Sequence, residues 1–378
     1  MLQSFFFLIF VLTSHYLSAD KKYKIVQISQ GPNPSMHAYM DICPEDTTGK
    51  RVVYFTFAKK NLQKGKVHAG RVQIIHTSDK HISYSSPLLY ANSHNAAKQR
   101  WLDRNRIAYQ IVKKHISVIT SLATGKTLQL AGRIEEYYAK KQLVFLKRGQ
   151  GKQARSFVQY DLAKQTATTV MTDAGAKRLI PGCLQNTFCS QKGHLKNLRI
   201  SPDGKTLFIS FRAKKRSVGK KKKLKIFFFI DRKTGKIRYM GHLGQHPLWY
   251  NHSAIHYYSR HSGIDFSVDP RAQDVLSHYL NGKKQIVFKN ALGIHGSFNH
   301  DKTKFVTDIF HWPRKNRVSI LLYNVPTSRF RILNSYSMEK GKAKRRVHPH
   351  PAWCHKTGRI YFNAAPNGVR QLYSVQFP

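Results

Sequence analysis

Short runs of β-branched and aromatic residues recur along the whole chain, and glycine, aspartate, asparagine or proline separates each run from the next. Such runs, bounded by turn residues, predict β-strands. Clear examples are residues 51–57, 71–76, 206–211, 225–230 and 318–323. The best candidate for an amphipathic helix, residues 269–280, is short. The pattern therefore predicts an all-β fold.

The predicted strands fall into units of about 50 residues, a period typical of a propeller or another repeat array. The clearest unit runs from His194 to Gly241, and three others align with it: residues 294–333, residues 96–130 and the segment from His350. The last unit ends one strand early, while an extra strand, residues 23–28, stands near the N-terminus. We therefore expect a seven-bladed β-propeller closed by the N-terminal strand, which completes the last blade; six or eight blades are the alternatives. One ring fits better than two domains because a single blade cannot bury its faces.

The N-terminus indicates export. Residues 5–12 form a short apolar run, and the polar segment that follows leads to Ala19. The run is too short to cross a bilayer, which takes roughly 20 apolar residues. We therefore expect a cleaved secretory signal at residues 1–19, one propeller domain over residues 20–378, and a secreted or periplasmic protein with no transmembrane span. An uncleaved anchor is the alternative, because no lysine or arginine precedes the run.

The chain is strongly basic, since 65 lysine and arginine residues against 18 acidic residues give a formal net charge of +47. A field of this sign concentrates polyanions and speeds their encounter with the protein. Nucleic acid, anionic lipid headgroups and acidic polysaccharides are the candidate partners. Because export makes nucleic acid a poor candidate, we expect an acidic polysaccharide or oligosaccharide.

Several familiar site motifs are incomplete. The four cysteines, Cys43, Cys183, Cys189 and Cys354, do not have the spacing of a zinc site. Cys183 and Cys189 would close a short loop if they pair in an oxidising compartment, and otherwise they are free thiols. Thr124-Gly125-Lys126-Thr127 lacks the earlier glycine of a phosphate loop, and Gly296-Ser297 lacks the flanks of a nucleophile elbow. The sequence thus argues against a nucleotide-binding loop and a serine hydrolase.

Histidines recur near the start of successive units, at His94, His194, His252, His295, His348 and His350. A repeated β-unit that places imidazoles at one end can gather ligands from distant segments into one site. His348 and His350 are separated by one residue, so in an extended segment they project to the same face and can ligate one metal or one carboxylate. The alternative is that each histidine bonds backbone at a blade entrance. His194 lies off register in its unit and is expected to be structural.

These motifs resemble one known group of enzymes. The segments that carry the resemblance are His94 with Gln99-Arg100-Trp101-Leu102, Ser201-Pro202-Asp203-Gly204 with Arg212, His295-Gly296-Ser297-Phe298 with Thr307-Asp308, and His350-Pro351-Ala352-Trp353 with Arg370-Gln371-Leu372-Tyr373. Together they look like the secreted propeller polysaccharide lyases, which comprise the oligogalacturonate lyases and the ulvan-lyase-type enzymes. The resemblance covers most of the chain from Tyr39 onward. It implies a seven-bladed propeller that cleaves uronate-containing glycosides by β-elimination.

The resemblance also implies a metal site. A divalent cation, manganese or zinc, would be held by His348 and His350, with His295 as the distant histidine and His252 as a further ligand. Arg345 stands where the oligogalacturonate lyases have a glutamine ligand, so the chain departs from the family pattern there.

Catalytic roles follow from the same resemblance. His94 and His115 would act as base and acid, and Arg212 would bind the uronate carboxylate through its planar guanidinium. The alternatives are a surface turn for His115 and a cross-strand ion pair for Arg212. A catalytic tyrosine is implied as well, and three residues compete for that role: Tyr138, Tyr160 and Tyr250.

The expected function is therefore an exported polysaccharide lyase acting on uronate-containing sugars. The alternative is a non-catalytic exported propeller that binds a polyanion or an envelope partner, because a fold alone does not fix a function.

Overall fold

A computed structural model describes residues 23–60, 62–63, 65–149, 153–180, 193–214, 223–242, 245–259, 273–293, 295–310, 317–337 and 348–377. The expected signal segment, Cys183, Cys189 and Arg345 lie outside these residues. Within them, no helix has the length and apolar character needed to cross a membrane.

The described residues are nearly all β-structure, and their strands form seven antiparallel sheets that follow one another along the chain. Sheet 1 contains β2 (Ser35–Met36), β3 (Arg51–Phe57), β4 (Val67–His76) and β5 (Ile82–Ser85), and β6 (Leu89–Asn92) also pairs with β4. Sheet 2 contains β7 (Arg100–Trp101), β8 (Arg106–Ile111), β9 (Ile116–Ser121) and β10 (Thr127–Ala131). Sheet 3 contains β11 (Arg133–Tyr138), β12 (Leu143–Arg148), β13 (Ser156–Asp161) and β14 (Thr166–Thr172).

The remaining sheets repeat this arrangement. Sheet 4 contains β15 (His194–Ile200), β16 (Thr206–Lys214), β17 (Lys223–Asp231) and β18 (Ile237–His242). Sheet 5 contains β19 (Gln245–Trp249), β20 (Ala254–Ser259), β21 (Gln273–Tyr279) and β22 (Lys284–Ala291). Sheet 6 contains β23 (His295–Phe298), β24 (Lys304–Phe310), β25 (Arg317–Asn324) and β26 (Arg329–Ser337). Sheet 7 contains β27 (Ala352–Trp353), β28 (Ile360–Ala364), β29 (Gln371–Gln376) and β1 (Lys24–Gln27).

Helical structure is limited to short pieces within the described residues. The α-helix α1 (Asp173–Arg178) begins after Thr172, whose side chain accepts a hydrogen bond from the Gly175 amide. Two 3-10 turns, Val112–Lys114 and Ala139–Lys141, join neighbouring strands. The helix considered for residues 269–280 is wrong, because Gln273–Tyr279 is the strand β21. Its residues Val275 and Ser277 are both buried, and residues two apart in a strand lie on the same face.

Apolar side chains fill the space between consecutive sheets. In the described part of the chain, seven clusters of buried residues join sheet 1 to 2, 2 to 3, 3 to 4, 4 to 5, 5 to 6, 6 to 7, and 7 back to 1. Each cluster removes several large side chains from water, and burying one such side chain is worth about 1.5–3 kcal/mol. The order in which the sheets pack is therefore cyclic.

The two ends of the chain meet between sheets 7 and 1. Strand β1 pairs antiparallel with β29, with Ile25 opposite Val375. A disulfide joins Cys43, after β2, to Cys354, after β27. The buried carboxylate of Glu45 accepts hydrogen bonds from Tyr361 Oη at 2.6 Å and Arg359 Nη1 at 2.8 Å. Pairing, covalent bond and ion pair thus connect the first and last sheets.

The first strands of the later sheets run between two cavities. One cavity is lined by residues at or before the start of such strands, namely Arg133, His295 and His348. Another is lined by residues at the ends of these strands, namely Tyr138, Phe298 and Trp353. These strands therefore run in the same direction, and they bring side chains from distant parts of the sequence together at each end.

Candidate functional site

Three histidines from two distant segments form a compact group at the starting end of these strands. Ring nitrogens of His94, His348 and His350 all lie within 4.8 Å of one another. The ring of His94 is 4.6 Å from that of His348 and 4.9 Å from that of His350, measured between centroids. His94 follows β6, and the other two precede β27, so the group bridges the contact between the first and last parts of the chain.

The chemistry of this group fits a divalent cation. His350 is fully buried, and neither of its ring nitrogens has a hydrogen-bond partner within the described part of the chain. Burial, followed by the neighbouring histidines, lowers the pKa of His350 well below its usual value. The imidazole is therefore neutral at physiological pH and keeps a lone pair for a metal.

His295 stands beside the group and is held by a buried carboxylate. Its ring is 4.6 Å from His350, and its Nδ1 lies 3.1 Å from both oxygens of Asp308, the residue opposite it in the β23–β24 register. Burial raises the pKa of Asp308, but the charge and hydrogen bond of His295 outweigh burial, so the pKa of Asp308 is lowered overall. In the neutral form of the His295 ring, an ionised Asp308 favours the tautomer with the proton on Nδ1 and an acceptor at Nε2, the arrangement in which a carboxylate orients a metal-binding histidine.

A tyrosine and a further histidine support the group from behind. Tyr39 packs edge-on against His350 at 4.5 Å between centroids, and its hydroxyl lies 3.1 Å from Nδ1 of His246. The ring of His246 is 4.7 Å from that of His295. Burial and then the charge of His295 lower the pKa of His246 to about 3, while burial raises the pKa of Tyr39. Both side chains are therefore neutral and restrict the rings in front of them.

A cavity of about 600 Å³ opens in front of the histidines. Lys98 and Arg133 lie on its wall, and both contact the buried carboxylate of Glu135: Lys98 Nζ at 3.7 Å and Arg133 Nε at 2.7 Å from Oε1. Burial lowers the pKa of Lys98 to about 7, with Glu135 opposing and Arg133 adding to the effect. The cavity thus holds an amine that is partly neutral near neutral pH. Its lining residues are Gly65, Asn92, His94, Asn95, Ala96, Lys98, Gln110, Ile111, Val112, His115, Ile116, Arg133, His295 and His348.

The structure gathers most of the site residues named from the sequence. His94, His115, His295 and His348 line this one cavity, and His350 lies directly behind His94. His115 is exposed at its edge, where it ends the 3-10 turn in the left-handed conformation at φ 52°.

Two of the named residues lie elsewhere. Arg212 does not line the cavity; it is opposite His194 in the β15–β16 register, one strand outward. His252 is exposed in the turn after β19, near Asp203.

None of the three candidate tyrosines lines the cavity. Tyr138 donates a hydrogen bond to the Asp203 carbonyl instead.

Sequence patterns did not single out Tyr39, His246 or Lys98 as site residues, and they gave Asp308 no role. Asp308 had one detectable signal, its position opposite His295 on consecutive strands of a repeat unit. Lys98 had none, because burial alone distinguishes it from the other lysines.

The whole fold is similar to solved propeller structures. It aligns with an oligogalacturonate lyase in complex with manganese at a TM-score of 0.67 and 13% identity, over 96% of this chain and 95% of that one. An oligogalacturonate lyase from Vibrio parahaemolyticus gives a TM-score of 0.67 at 12% identity, over 96% of this chain and 96% of that one. The β-propeller domain of the Trilobed protease from Pyrococcus furiosus gives 0.52 at 10% identity, over 90% of this chain and 95% of that domain. At such identities the likeness shows the fold, a β-propeller, and nothing finer.

Neither a protein-family model nor a curated protein matches the sequence.

Proposed function

We propose that this protein is an exported lyase that cleaves a uronate-containing polysaccharide or oligosaccharide by β-elimination. In this proposal the seven sheets are the blades of one closed ring over residues 20–378, β1 completes the last blade, and residues 1–19 are removed on export. The observation that carries the proposal is the group of three imidazoles, His94, His348 and His350, beside a cavity walled by Lys98 and Arg133. Two lyases of the same fold, one of them holding manganese, support it.

The histidine group is the binding site for the substrate carboxylate. We assign His94, His348 and His350 as ligands of a divalent cation, manganese or zinc, with His295 oriented beside them by Asp308. A cation held there would neutralise the carboxylate and would make the neighbouring C–H bond more acidic. The surrounding basic charge favours the approach of an acidic sugar.

Lys98 is the proton acceptor in this proposal. Its neutral amine takes the proton from the carbon next to the uronate carboxylate, the electron pair forms a carbon–carbon double bond, and the bond to the glycosidic oxygen breaks. His115, on the same cavity wall, donates a proton to the leaving oxygen. Arg133 contacts the substrate where Arg212 was expected to do so, because Arg133 lines the cavity.

Incubation with a panel of polysaccharides tests the proposal directly. Polygalacturonate, oligogalacturonides and ulvan should include at least one substrate that gives an unsaturated product, followed by its ultraviolet absorbance. A neutral galactan is the control and should give no signal. Tight binding of uronans without any product would contradict the lyase and favour the non-catalytic polyanion-binding propeller.

The rate should depend on pH through Lys98. Protonated Lys98 cannot accept a proton, so kcat/KM should rise with pH and level off above about 7, the pKa to which burial lowers this amine. The charged groups facing Lys98 are Glu135, which stabilises the protonated amine, and Arg133, Arg199 and Arg100, which destabilise it.

Replacing Lys98 removes the proposed base. A general base contributes about 10² to 10⁴ in rate, so Lys98→Met should lower kcat by at least about 100-fold.

Lys126, an exposed lysine in the hairpin between β9 and β10, provides the matched control. Lys126→Met should leave both the rate and the pH profile unchanged. A Lys98→Met variant that keeps the wild-type rate and the same rising limb would exclude Lys98 as the base.

A further inference from the structure

A second cavity, of about 310 Å³, lies at the opposite end of the inner strands. Strand β19 ends there with Trp249, β23 with Phe298 and β27 with Trp353. Toward the interior it is bounded by Asp41, Glu136 and Arg199; Arg199 forms an ion pair with Asp41 and lies 3.7 Å from Glu136 through Nε. This cavity is therefore built by several sheets, and none of its lining residues belongs to the histidine group described above.

Several buried polar atoms at this cavity have no hydrogen-bond partner among the residues that the structure describes. His256 is 2% exposed and lines the cavity, and neither of its ring nitrogens has a hydrogen-bond partner within the described residues. The same holds for Nε1 of Trp249 and Oδ1 of Asp41. Buried polar groups in native proteins are nearly always hydrogen-bonded, so these atoms call for a ligand or ordered water.

The protonation state of His256 defines the hydrogen bonds it can make. Burial, followed by the charge of Lys302, lowers its pKa to about 3. A neutral imidazole offers one N–H donor and one acceptor. Together with the donor of Trp249 and the acceptor of Asp41, the cavity presents two donors and two acceptors. Hydroxyl groups, which donate and accept at once, match this set.

The charges of the two cavities differ in a way that selects different ligands. Lys98 and Arg133 surround the histidine cavity, which suits an anion. In the second cavity, the carboxylates of Asp41 and Glu136 balance the cations Arg199 and Lys302. An uncharged ligand avoids the cost of an unpaired buried charge there.

Aromatic rings form much of the remaining wall. Trp249, Phe298 and Trp353 offer apolar ring surface, and the Phe298 ring also holds His256 edge-on at 4.7 Å between centroids. Ligand pockets usually measure about 300–1,000 Å³, so a cavity of about 310 Å³ accommodates a small ligand. A pyranose combines C–H faces for the rings with hydroxyls for the polar atoms.

We propose that this second cavity binds a neutral monosaccharide unit, independently of the proposed lyase reaction. The sugar packs its C–H face on the aromatic wall, accepts a hydrogen bond from Trp249 Nε1 and exchanges hydrogen bonds with His256. Charge balance in the cavity discriminates against uronates.

Titration with single sugars tests this assignment. Galactose, xylose, rhamnose and glucose are added to the full-length protein and binding is followed by tryptophan fluorescence and by saturation-transfer NMR, with galacturonate as the charged comparison. At least one neutral sugar should bind in the millimolar range, and galacturonate should bind there more weakly.

Two variants test the hydrogen bonds. Trp249→Phe keeps an aromatic ring but loses the indole N–H, and His256→Phe keeps a ring of similar shape but loses both nitrogens. Loss of one hydrogen bond corresponds to roughly a 5-fold weaker affinity, and each variant should show at least that.

Exposed His81, immediately before β5, gives the control, since His81→Ala should bind as the wild type does. Thermal melting of each variant separates loss of binding from loss of fold. Absence of binding by every neutral sugar to the folded wild type would overturn the proposal and leave ordered water as the partner of these atoms. Unchanged affinity in folded Trp249→Phe and His256→Phe would overturn it as well. Because no uronate cleavage is measured, failure of the lyase proposal does not affect this result.

Discussion

Replacing His350 by alanine should abolish tight binding of the proposed divalent cation and lower the proposed lyase activity at least about 100-fold. The His350 ring is fully buried and uncharged, and neither ring nitrogen has a hydrogen-bond partner within the described residues, so in the proposed metal site its role is to supply a lone pair. Losing even an outer partner of a metal ligand costs about 10- to 100-fold in affinity or activity. Losing a ligand itself should exceed that range. Metal content of the purified protein and uronate cleavage measure the two effects.

Asp308→Asn should weaken metal binding, but less than His350→Ala does. The carboxamide removes the charge that fixes the proton on Nδ1 of His295 but keeps the size of the side chain. Metal affinity should fall by about 10- to 100-fold rather than vanish. His252→Ala is the matched control, because this histidine is exposed and lies outside the cavity; it should leave metal content and activity unchanged. A metal content that persists in folded His350→Ala would refute the ligand assignment.

The sequence predicted the class of the fold because its strands and turns are local features. Runs such as residues 206–211 carry β-propensity on their own, and Ser201-Pro202-Asp203-Gly204 forms the turn between β15 and β16 as expected. The strand at residues 273–279 was harder to predict, because this short segment mixes polar and apolar residues without a clear helical or strand period. Packing against neighbouring strands determines its structure.

The positions of the site residues were predictable only as far as strand direction allowed. His295 starts β23 and therefore lies at the histidine end, whereas His252 follows β19 and therefore lies toward the other end. Arg212 returns to the starting end on β16, but one strand outward, opposite His194. Asp308 lies on β24, opposite His295, at the position equivalent to that of Arg212 on β16. Residue type and spacing alone do not separate these cases.

Long-range packing accounts for what the sequence did not reveal. Lys98 becomes a candidate base through burial against Glu135, which depends on contact between sheets 2 and 3. The disulfide of Cys43 with Cys354 spans 311 residues, and proximity in sequence pointed instead to Cys183 and Cys189, which lie outside the described residues. Such a pair is recognisable only once the first and last sheets are known to meet.

Breaking the Cys43–Cys354 disulfide should lower the stability of the protein more than changing any exposed residue. The bond closes a loop of 311 residues between the first and last sheets, with a Cα–Cα distance of 5.1 Å. Chain entropy for so long a loop gives about 6 kcal/mol, and native disulfides typically contribute about 2–5 kcal/mol. For a chain of this length, a loss of that order corresponds to a decrease in Tm of about 5 °C. Thermal melting with and without a thiol reductant measures it.

Single and double substitutions show whether the bond itself is responsible. Cys43→Ser, Cys354→Ser and the double variant should lose about the same stability, because either single change already breaks the cross-link. Independent packing effects would instead add up in the double variant. Reductant should then lower the Tm of the double variant by less than it lowers the Tm of the wild type, because only a Cys183–Cys189 bond could still be reduced in the double variant. Equal Tm values for oxidised and reduced wild type would show that β1 pairing and the Glu45 contacts hold the two ends without the bond.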